Sequence, residues 1–235
     1  MLEMNQLYLM DCMEGMKQFP DKYFELAIVD PPYGIGASNY TRGGTQHGKS
    51  LAKCKQYGSK DWDKSAPQRE YFEELIRISK NQVIWGANHF ISKIPYDSPC
   101  WIVWDKVNGD NGYADCELAW TSFKSAVRQY TYQWHGMLQQ NMKDKEHRIH
   151  PTQKPVALYK WLLMNYAKQG DKILDTHVGS ASSLIACHNL GFQYVGFEID
   201  KEYYEESLKR LEAHKSQVSL LDITKADNEQ IVIGE

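Results

Sequence analysis

Lys172-Ile173-Leu174-Asp175-Thr176-His177-Val178-Gly179-Ser180-Ala181-Ser182-Ser183 is the stretch that decides the fold class. Lys172 to Asp175 reads as a short buried strand and Thr176 to Ser183 as a glycine-bearing turn. Leu184, Ile185, Cys187 and Leu190 then mark the apolar side of a helix. Strand, glycine turn and helix in that order are the nucleotide-binding entry of a doubly wound sheet. The next apolar run, Tyr194 to Phe197, ends in Glu198. An acidic residue about 20 residues beyond such a turn is placed to take both hydroxyls of a ribose. Asp175, His177, Gly179 and Ser180 would then face the other end of the ligand. The turn lacks Gly-x-Gly-x-x-Gly, which disfavours a dinucleotide dehydrogenase.

Outward from this stretch the elements alternate. Strands are predicted at Leu7 to Met10, Phe24 to Val29, Gln82 to Trp85, Cys100 to Trp104, Glu117 to Thr121 and Val127 to Tyr132. Helices are predicted over Gln68 to Ser79, from Pro155 to about Ala167, and over Lys201 to Lys215. Pro155 suits a first helical turn, where its missing N–H costs nothing; Asp200 can cap the last helix, with Glu202 complementing its dipole. Gln217 to Glu235 reads as a loosely attached tail. Alternation of this kind implies an α/β domain, a doubly wound and mostly parallel sheet with helices on both faces. The chain, 235 residues, is read as one domain over its whole length.

Asp30-Pro31-Pro32-Tyr33 closes the apolar run Phe24 to Val29. A carboxylate, two prolines of fixed φ and an aromatic ring make a preset cup lined with acceptors and roofed by a π-face, suited to a flat base with an exocyclic amine. Such an amine is a poor nucleophile because its lone pair is delocalised into the ring. Asp30 can accept one of its hydrogens and the Pro31 carbonyl the other, while neither Pro31 nor Pro32 brings a competing N–H. Tyr33 would stack on the base. A tight turn after a buried strand is the plainer explanation of the same residues.

With these two motifs the chain resembles the amino-methylating DNA methyltransferases that use S-adenosylmethionine, in the permuted, beta-type order with the catalytic motif ahead of the cofactor motif. The resemblance also rests on Met10-Asp11-Cys12, Val83-Ile84-Trp85-Gly86-Ala87-Asn88, Glu117-Leu118-Ala119-Trp120-Thr121 and His150-Pro151-Thr152-Gln153-Lys154-Pro155, and so spans nearly the whole chain. It implies a class I, Rossmann-like methyltransferase fold, S-adenosylmethionine as cofactor, DNA as partner, and a homodimer by family habit. It further implies that Asp11 accepts the adenine amine of the cofactor, that Cys12 contributes its backbone N–H, and that Thr152 and Lys154 lie on the cofactor side. For Lys154 a solvated residue at a helix start is the competing reading; His150 is read as a structural cap. Asp at the first position of the tetrapeptide accompanies adenine N6 more often than cytosine N4 in that family. Cytosine N4 stays open, as does a catalytically degenerate nucleotide- or DNA-binding relative. The chain departs from the family at Thr176-His177, where Pro-Phe is usual, and at Ala181, where a second glycine is usual.

Reaction of a stacked base requires its rotation out of the duplex. The net charge of −3 argues against a protein that coats nucleic acid indiscriminately, but the charge is uneven. From Pro31 to Lys60 there is no Asp or Glu, while Arg42, Lys49, Lys53 and Lys55 are basic and glycines abound, so residues 34–64 read as a flexible basic loop able to clamp phosphates. Residues 121–150 carry Arg128, Lys143, Arg148, Gln139 and Gln140 among aromatics and are the candidate target-recognition segment. The alternative is that Tyr130, Tyr132 and Trp134, spaced by two, form one face of a hairpin packed on the core. Five cysteines without a Cys-x-x-Cys pair argue for free thiols and no metal site. No apolar stretch reaches membrane-spanning length and no signal segment opens the chain, so a cytoplasmic location is expected.

Overall fold

The computed structural model describes residues 1–36, 63–109, 114–135 and 138–232. Phe24–Val29, apolar but for Glu25, forms strand β2; its last three residues are fully buried. A strand covered on both faces has no reason to alternate polar and apolar positions, hence the continuous run. Around it the order along the chain is β1 (Gln6–Leu9), α1 (Cys12–Met16), β2, α2 (Arg69–Ile78), β3 (Ser79–Trp85), β4 (Trp101–Asp105), β5 (Cys116–Thr121), β6 (Arg128–Thr131), β7 (Trp134–His135), β8 (Leu138–Gln139), α3 (Val156–Tyr166), β9 (Lys172–Asp175), α4 (Ser182–Asn189), β10 (Gln193–Glu198) and α5 (Lys201–Val232).

The main sheet has eight strands in the order β1-β10-β9-β2-β3-β5-β4-β6. From β1 to β3 every pairing is parallel, and β5 enters antiparallel between β3 and β4. One face is covered by α3, α4 and the start of α5, where Leu158, Leu162, Ile185 and Leu211 meet Leu26, Ile28 and Ile173. The other is covered by α1 and α2, where Met16, Tyr71, Phe72 and Leu75 meet Ala27, Val29 and Leu174. A doubly wound, mostly parallel sheet with helices on both faces is thus what the sequence folds into. Adjacent strands β9 and β2 lead to opposite flanks: β9 runs through α4 to β10, and β2 through α2 to β3. That divergence is the topological switch point, where doubly wound folds bind ligands beyond the strand carboxyl ends.

Several expectations change. The short helix α1 was not legible, since five residues containing Gly15 give little periodicity; Asp11 starts it by accepting from the backbone N–H groups of Met13 (2.8 Å) and Glu14 (3.2 Å). The last helix continues to Val232 instead of ending near Lys215, and neither Gly nor Pro interrupts the sequence before Gly234. Tyr130 and Tyr132 do not lie in an antiparallel hairpin: β6 pairs parallel with β4 at the sheet edge, and β7–β8 form a separate two-stranded ribbon. The aromatics nevertheless go to packing. Tyr130 stacks on Trp161 of α3 at 5.0 Å, and the Trp134 indole N–H donates to the Gln153 carbonyl at 2.8 Å.

Candidate active site

Asp30 leaves the end of β2 with both carboxylate oxygens engaged. The Tyr33 hydroxyl donates to Oδ1 at 2.7 Å, and the Lys154 ammonium donates to Oδ2 at 2.6 Å. Burial holds the Asp30 carboxyl above its ordinary range against the pull of Lys154, and the nearby Glu117 pushes the same way. Lys154 is no solvated helix-start residue. Its side chain is 3% exposed and is shared with Glu117 Oε2 at 3.0 Å, while Lys106 reaches Glu117 Oε1 at 3.2 Å. Burial opposes the Lys154 charge, but Asp30 and Glu117 outweigh it and raise the ammonium above its usual value. Lys154 therefore lies against the Asp30–Tyr33 turn, whereas the resemblance in sequence implied a place on the cofactor side. Pro31 is buried and Pro32 partly so. Tyr33 is stacked at 4.9 Å and 17° on His89, in the turn after β3.

On the other side of the switch point, β9 ends in Asp175, whose carboxylate accepts the Ser183 hydroxyl and, at 3.0 Å, the His177 N–H. Burial pushes this carboxyl up to about 7, and repulsion from Asp30 and Glu198 adds to the shift. The two motifs thus share one electrostatic neighbourhood. Gly179 takes φ +56 in the turn and donates its N–H to Glu198 Oε2 at 2.9 Å; Glu198 Oε1 accepts from Asp200 N–H at 2.8 Å. His177 bonds Thr176 Oγ1 through Nδ1 at 2.9 Å, and its Nε2 lies 3.9 Å from the Cys12 sulfur. Burial lowers His177 to about 4 and raises the Cys12 thiol to about 12, so both are neutral at pH 7. Ser180 is buried, its hydroxyl 3.1 Å from that of Ser182. Ala181 adopts the left-handed φ of +62 that usually calls for glycine, at the residue preceding α4.

Asp30, Asp175, Glu198 and Asp11 thus follow the ends of parallel strands β2, β9, β10 and β1 on one rim. Asp11 is exposed there; its caps on α1 use one oxygen and leave Oδ2 free of them. Thr152 is exposed and pairs with His150 Nδ1 at 3.1 Å, and the His150 ring packs on Tyr203 at 4.3 Å, a structural setting for that histidine. The acidic rim around a glycine turn fits a ligand with a ribose diol and positive charge. Asp175 is destabilised as an anion first by burial and then by the Asp30 and Glu198 carboxylates, and a cation would relieve that repulsion. Among the described residues no group of three or more His, Cys, Asp or Glu is arranged to hold a metal ion.

Of the residues expected to meet DNA, Arg42, Lys49, Lys53 and Lys55 lie outside the described residues, as does most of the 34–64 loop. Arg128 and Lys143 are exposed. Arg148 is otherwise placed: its guanidinium sits 4.4 Å over the Trp134 ring, with Nε and Nη2 buried. Gln139 is 3% exposed, and its amide bonds the backbone of Glu146. Sequence reasoning missed Glu117, whose signal was a single carboxylate opening the apolar run Glu117-Leu118-Ala119-Trp120. It also missed Tyr71, whose hydroxyl meets Thr176 Oγ1 at 2.6 Å.

A family model described as DNA methylase matches residues 97–209. The chain is 25% identical to the type II methyltransferase M2.DpnII of Streptococcus pneumoniae, over 86% of this chain and 88% of that one. It is 24% identical to the type II methyltransferase M.HpaI of Haemophilus parainfluenzae, over 92% of this chain and 77% of that one. Among solved structures it resembles the M1.HpyAVI–SAM complex with a TM-score of 0.54, at 22% identity, covering 87% of this chain and 98% of that one. The likeness is one of fold.

Proposed function

We propose that this chain is an amino-methylating DNA methyltransferase and transfers a methyl group from S-adenosylmethionine to the N6 amine of adenine in DNA. The observation that carries this reading is the adjacency of Asp30-Pro31-Pro32-Tyr33 and the Asp175–Gly179 turn at the ends of neighbouring strands β2 and β9. One motif can hold a base by its amine and the other a nucleoside cofactor. Bringing two reactants together in a fixed geometry is by itself a large part of catalysis.

In this reading Glu198 takes the ribose hydroxyls with the lone pairs its two backbone contacts leave free, and Asp175, His177, Gly179 and Ser180 line the methionine end. Asp11 Oδ2 takes the adenine amine of the cofactor beside the Cys12 N–H, and Thr152 completes the rim. S-adenosylmethionine supplies a methyl carbon on a cationic sulfur, and its transfer to an amine leaves a neutral sulfide and one proton for uptake. The target base leaves the duplex, because a stacked amine cannot reach a buried turn. Asp30 and the Pro31 carbonyl accept its two N–H hydrogens and turn the nitrogen lone pair out of conjugation. Tyr33 supports the ring, and Asp30 takes the departing proton. Asp at position 30, where the cytosine-specific members of the family more often have Ser, is the reason for adenine. The basic residues Arg42, Lys49, Lys53 and Lys55, with Arg128 and Lys143, contact phosphates in a salt-dependent manner. Homodimerisation and a cytoplasmic location belong to the same reading. Among the described residues no helix is long and apolar enough to cross a membrane.

The test is incubation with methyl-labelled cofactor and plasmid DNA, followed by digestion to nucleosides. Label in N6-methyldeoxyadenosine supports the assignment, and label in N4-methyldeoxycytidine replaces the base. Cofactor binding by calorimetry without transfer to any DNA indicates a degenerate relative. Asp30→Ala is expected to abolish turnover while leaving most cofactor affinity; full activity in that variant discards the role of Asp30.

A further inference from the structure

The catalytic turn is reached by charges from distant parts of the chain that the reaction as described does not use. Lys106 follows β4, Glu117 lies on β5 and Lys154 precedes α3, yet they join in line with Asp30. Lys106 Nζ is 3.2 Å from Glu117 Oε1, Glu117 Oε2 is 3.0 Å from Lys154 Nζ, and Lys154 Nζ is 2.6 Å from Asp30 Oδ2. Side-chain exposures run 14%, 26%, 3% and 17% from Lys106 to Asp30, so the line passes through the interior and does not lie on a solvated surface. The charges alternate and sum to zero. We propose that Lys154 and Glu117 are positioning residues for methyl transfer, which aim the Asp30 carboxylate and set its charge before the target amine arrives.

The physical argument rests on division of one cation between two anions. A buried carboxylate without a partner protonates, and a protonated Asp30 would offer the amine a donor where an acceptor is needed. Lys154 prevents this. If Lys154 faced Asp30 alone, however, it would hold the carboxylate in a tight pair that a neutral amine, a weak donor, displaces poorly. Glu117 takes part of the Lys154 charge and so leaves Asp30 ionised yet accessible, and Lys106 keeps Glu117 from protonating in its turn. Burial alone would raise Glu117, but the two lysines outweigh it and hold it below its ordinary value. The other titratable groups that act on or feel Asp30 are Tyr33 on its own turn, Tyr71 on α2, Tyr159 on α3 and Asp175 on β9. All three tyrosines are held well above their usual range by burial, so of these four groups only Asp175 titrates near neutrality.

The two neighbours act on Asp30 with opposite sign: Lys154 favours its anion and Glu117 disfavours it. This inference rests on the catalytic role proposed for Asp30, and its test can be read without catalysis. The Asp30 carboxyl is titrated by carbon NMR in aspartate-labelled protein, with its resonance identified by its loss in Asp30→Asn. Glu117→Gln is expected to make Asp30 a stronger acid, and Lys154→Met a weaker one, each by about tenfold or more in proton affinity. Lys154→Arg, which keeps the charge, should leave the titration near that of the parent protein. The acid limb of single-turnover methylation should follow, moving to lower pH in Glu117→Gln and to higher pH in Lys154→Met. If Lys154→Met does not fold, Glu117→Gln and Lys154→Arg still decide. An unmoved titration in Glu117→Gln, or a shift in Lys154→Arg toward weaker acidity, overturns the proposal. Opposed shifts in a protein that transfers no methyl group would uphold the charge line and instead discard the methyltransferase reading.

Discussion

Gly86 lies directly against the ring of Tyr33: a Cβ built on Gly86 would fall 2.0 Å from a Tyr33 ring carbon, and Gly86 has φ +66. A side chain there is excluded twice, by the left-handed backbone and by the aromatic ring. Tyr33 is therefore held between the turn after β3 and the ring of His89, which stacks on it at 4.9 Å. The Trp85-Gly86-Ala87-Asn88 stretch is thus part of the support of the Asp30–Tyr33 turn, and the glycine is required by close approach.

Gly86→Ala should consequently cost more activity than stability. The left-handed backbone costs an alanine about 1–2 kcal/mol, and overpacking typically adds 1–3 kcal/mol where the neighbour cannot move. Tyr33 is only partly buried, so relief should come from its displacement. The expected outcome is a modest fall in Tm with a loss of at least tenfold in single-turnover rate, and a rate equal to the parent's would show that Tyr33 need not hold its place.

Much of this arrangement could be read from the chain, and the limits have physical causes. Phe24 to Val29 and Lys172 to Asp175 announced themselves because strands buried on both faces are continuously apolar, and both sit in the sheet at those residues. The strand-end acids Asp30, Asp175 and Glu198 were legible because parallel strands aim their carboxyl ends at one rim. The burial of Lys154 was not, since its partner Asp30 is 124 residues away and nothing local in His150 to Pro155 distinguishes a solvated lysine from a buried one. The partner of β6 was equally hidden. Spacing by two at Tyr130 and Tyr132 gives a strand, but a parallel pairing with β4 depends on sheet order that periodicity does not encode.

Glu198→Gln should be more damaging than its similarity of shape suggests. Both oxygens of Glu198 accept backbone N–H groups, from Gly179 and Asp200. A glutamine can accept only one of them, and its NH2 then faces the other donor. A buried donor left unsatisfied costs about 1–3 kcal/mol, so cofactor affinity measured by calorimetry should fall by about tenfold or more, with a lower Tm in the unliganded protein. Unchanged affinity would remove Glu198 from the ribose site.

His177→Phe installs the residue usual in the methyltransferases that the sequence resembles and tests why a histidine is tolerated here. Desolvation lowers the folded imidazole to about 4, against 6.5 for an ordinary histidine. Between those values the unfolded chain binds a proton that the folded chain refuses, so the histidine's contribution to stability falls as the pH drops from 6.5 toward 4. The phenylalanine has no proton to bind. Its Tm should therefore decline less than the parent's between pH 6.5 and pH 4.5, and parallel curves would show that His177 is accessible to solvent.

Asp175→Asn should separate stability from function. The Asp175 carboxyl is raised by burial to about 7 from an ordinary 3.8, so between those values the folded protein holds a proton that the unfolded chain has released. That contribution is fully present below 3.8 and is lost as the pH rises through about 7. Asparagine keeps the local bonds: its carbonyl can accept from the His177 N–H, and its amide can donate to the Ser183 hydroxyl. With no charge to bury, the variant should lose less stability from pH 5 to pH 8 and exceed the parent at pH 8, by an amount on the order of a few kcal/mol. Cofactor binding should behave in the opposite way. A cationic ligand prefers the ionised carboxylate, so the parent's affinity should rise from pH 6 to pH 8, whereas the variant's should be weaker and flat across that range. A variant that binds with the parent's affinity and the parent's pH dependence would show that Asp175 serves the fold of the turn and not the ligand.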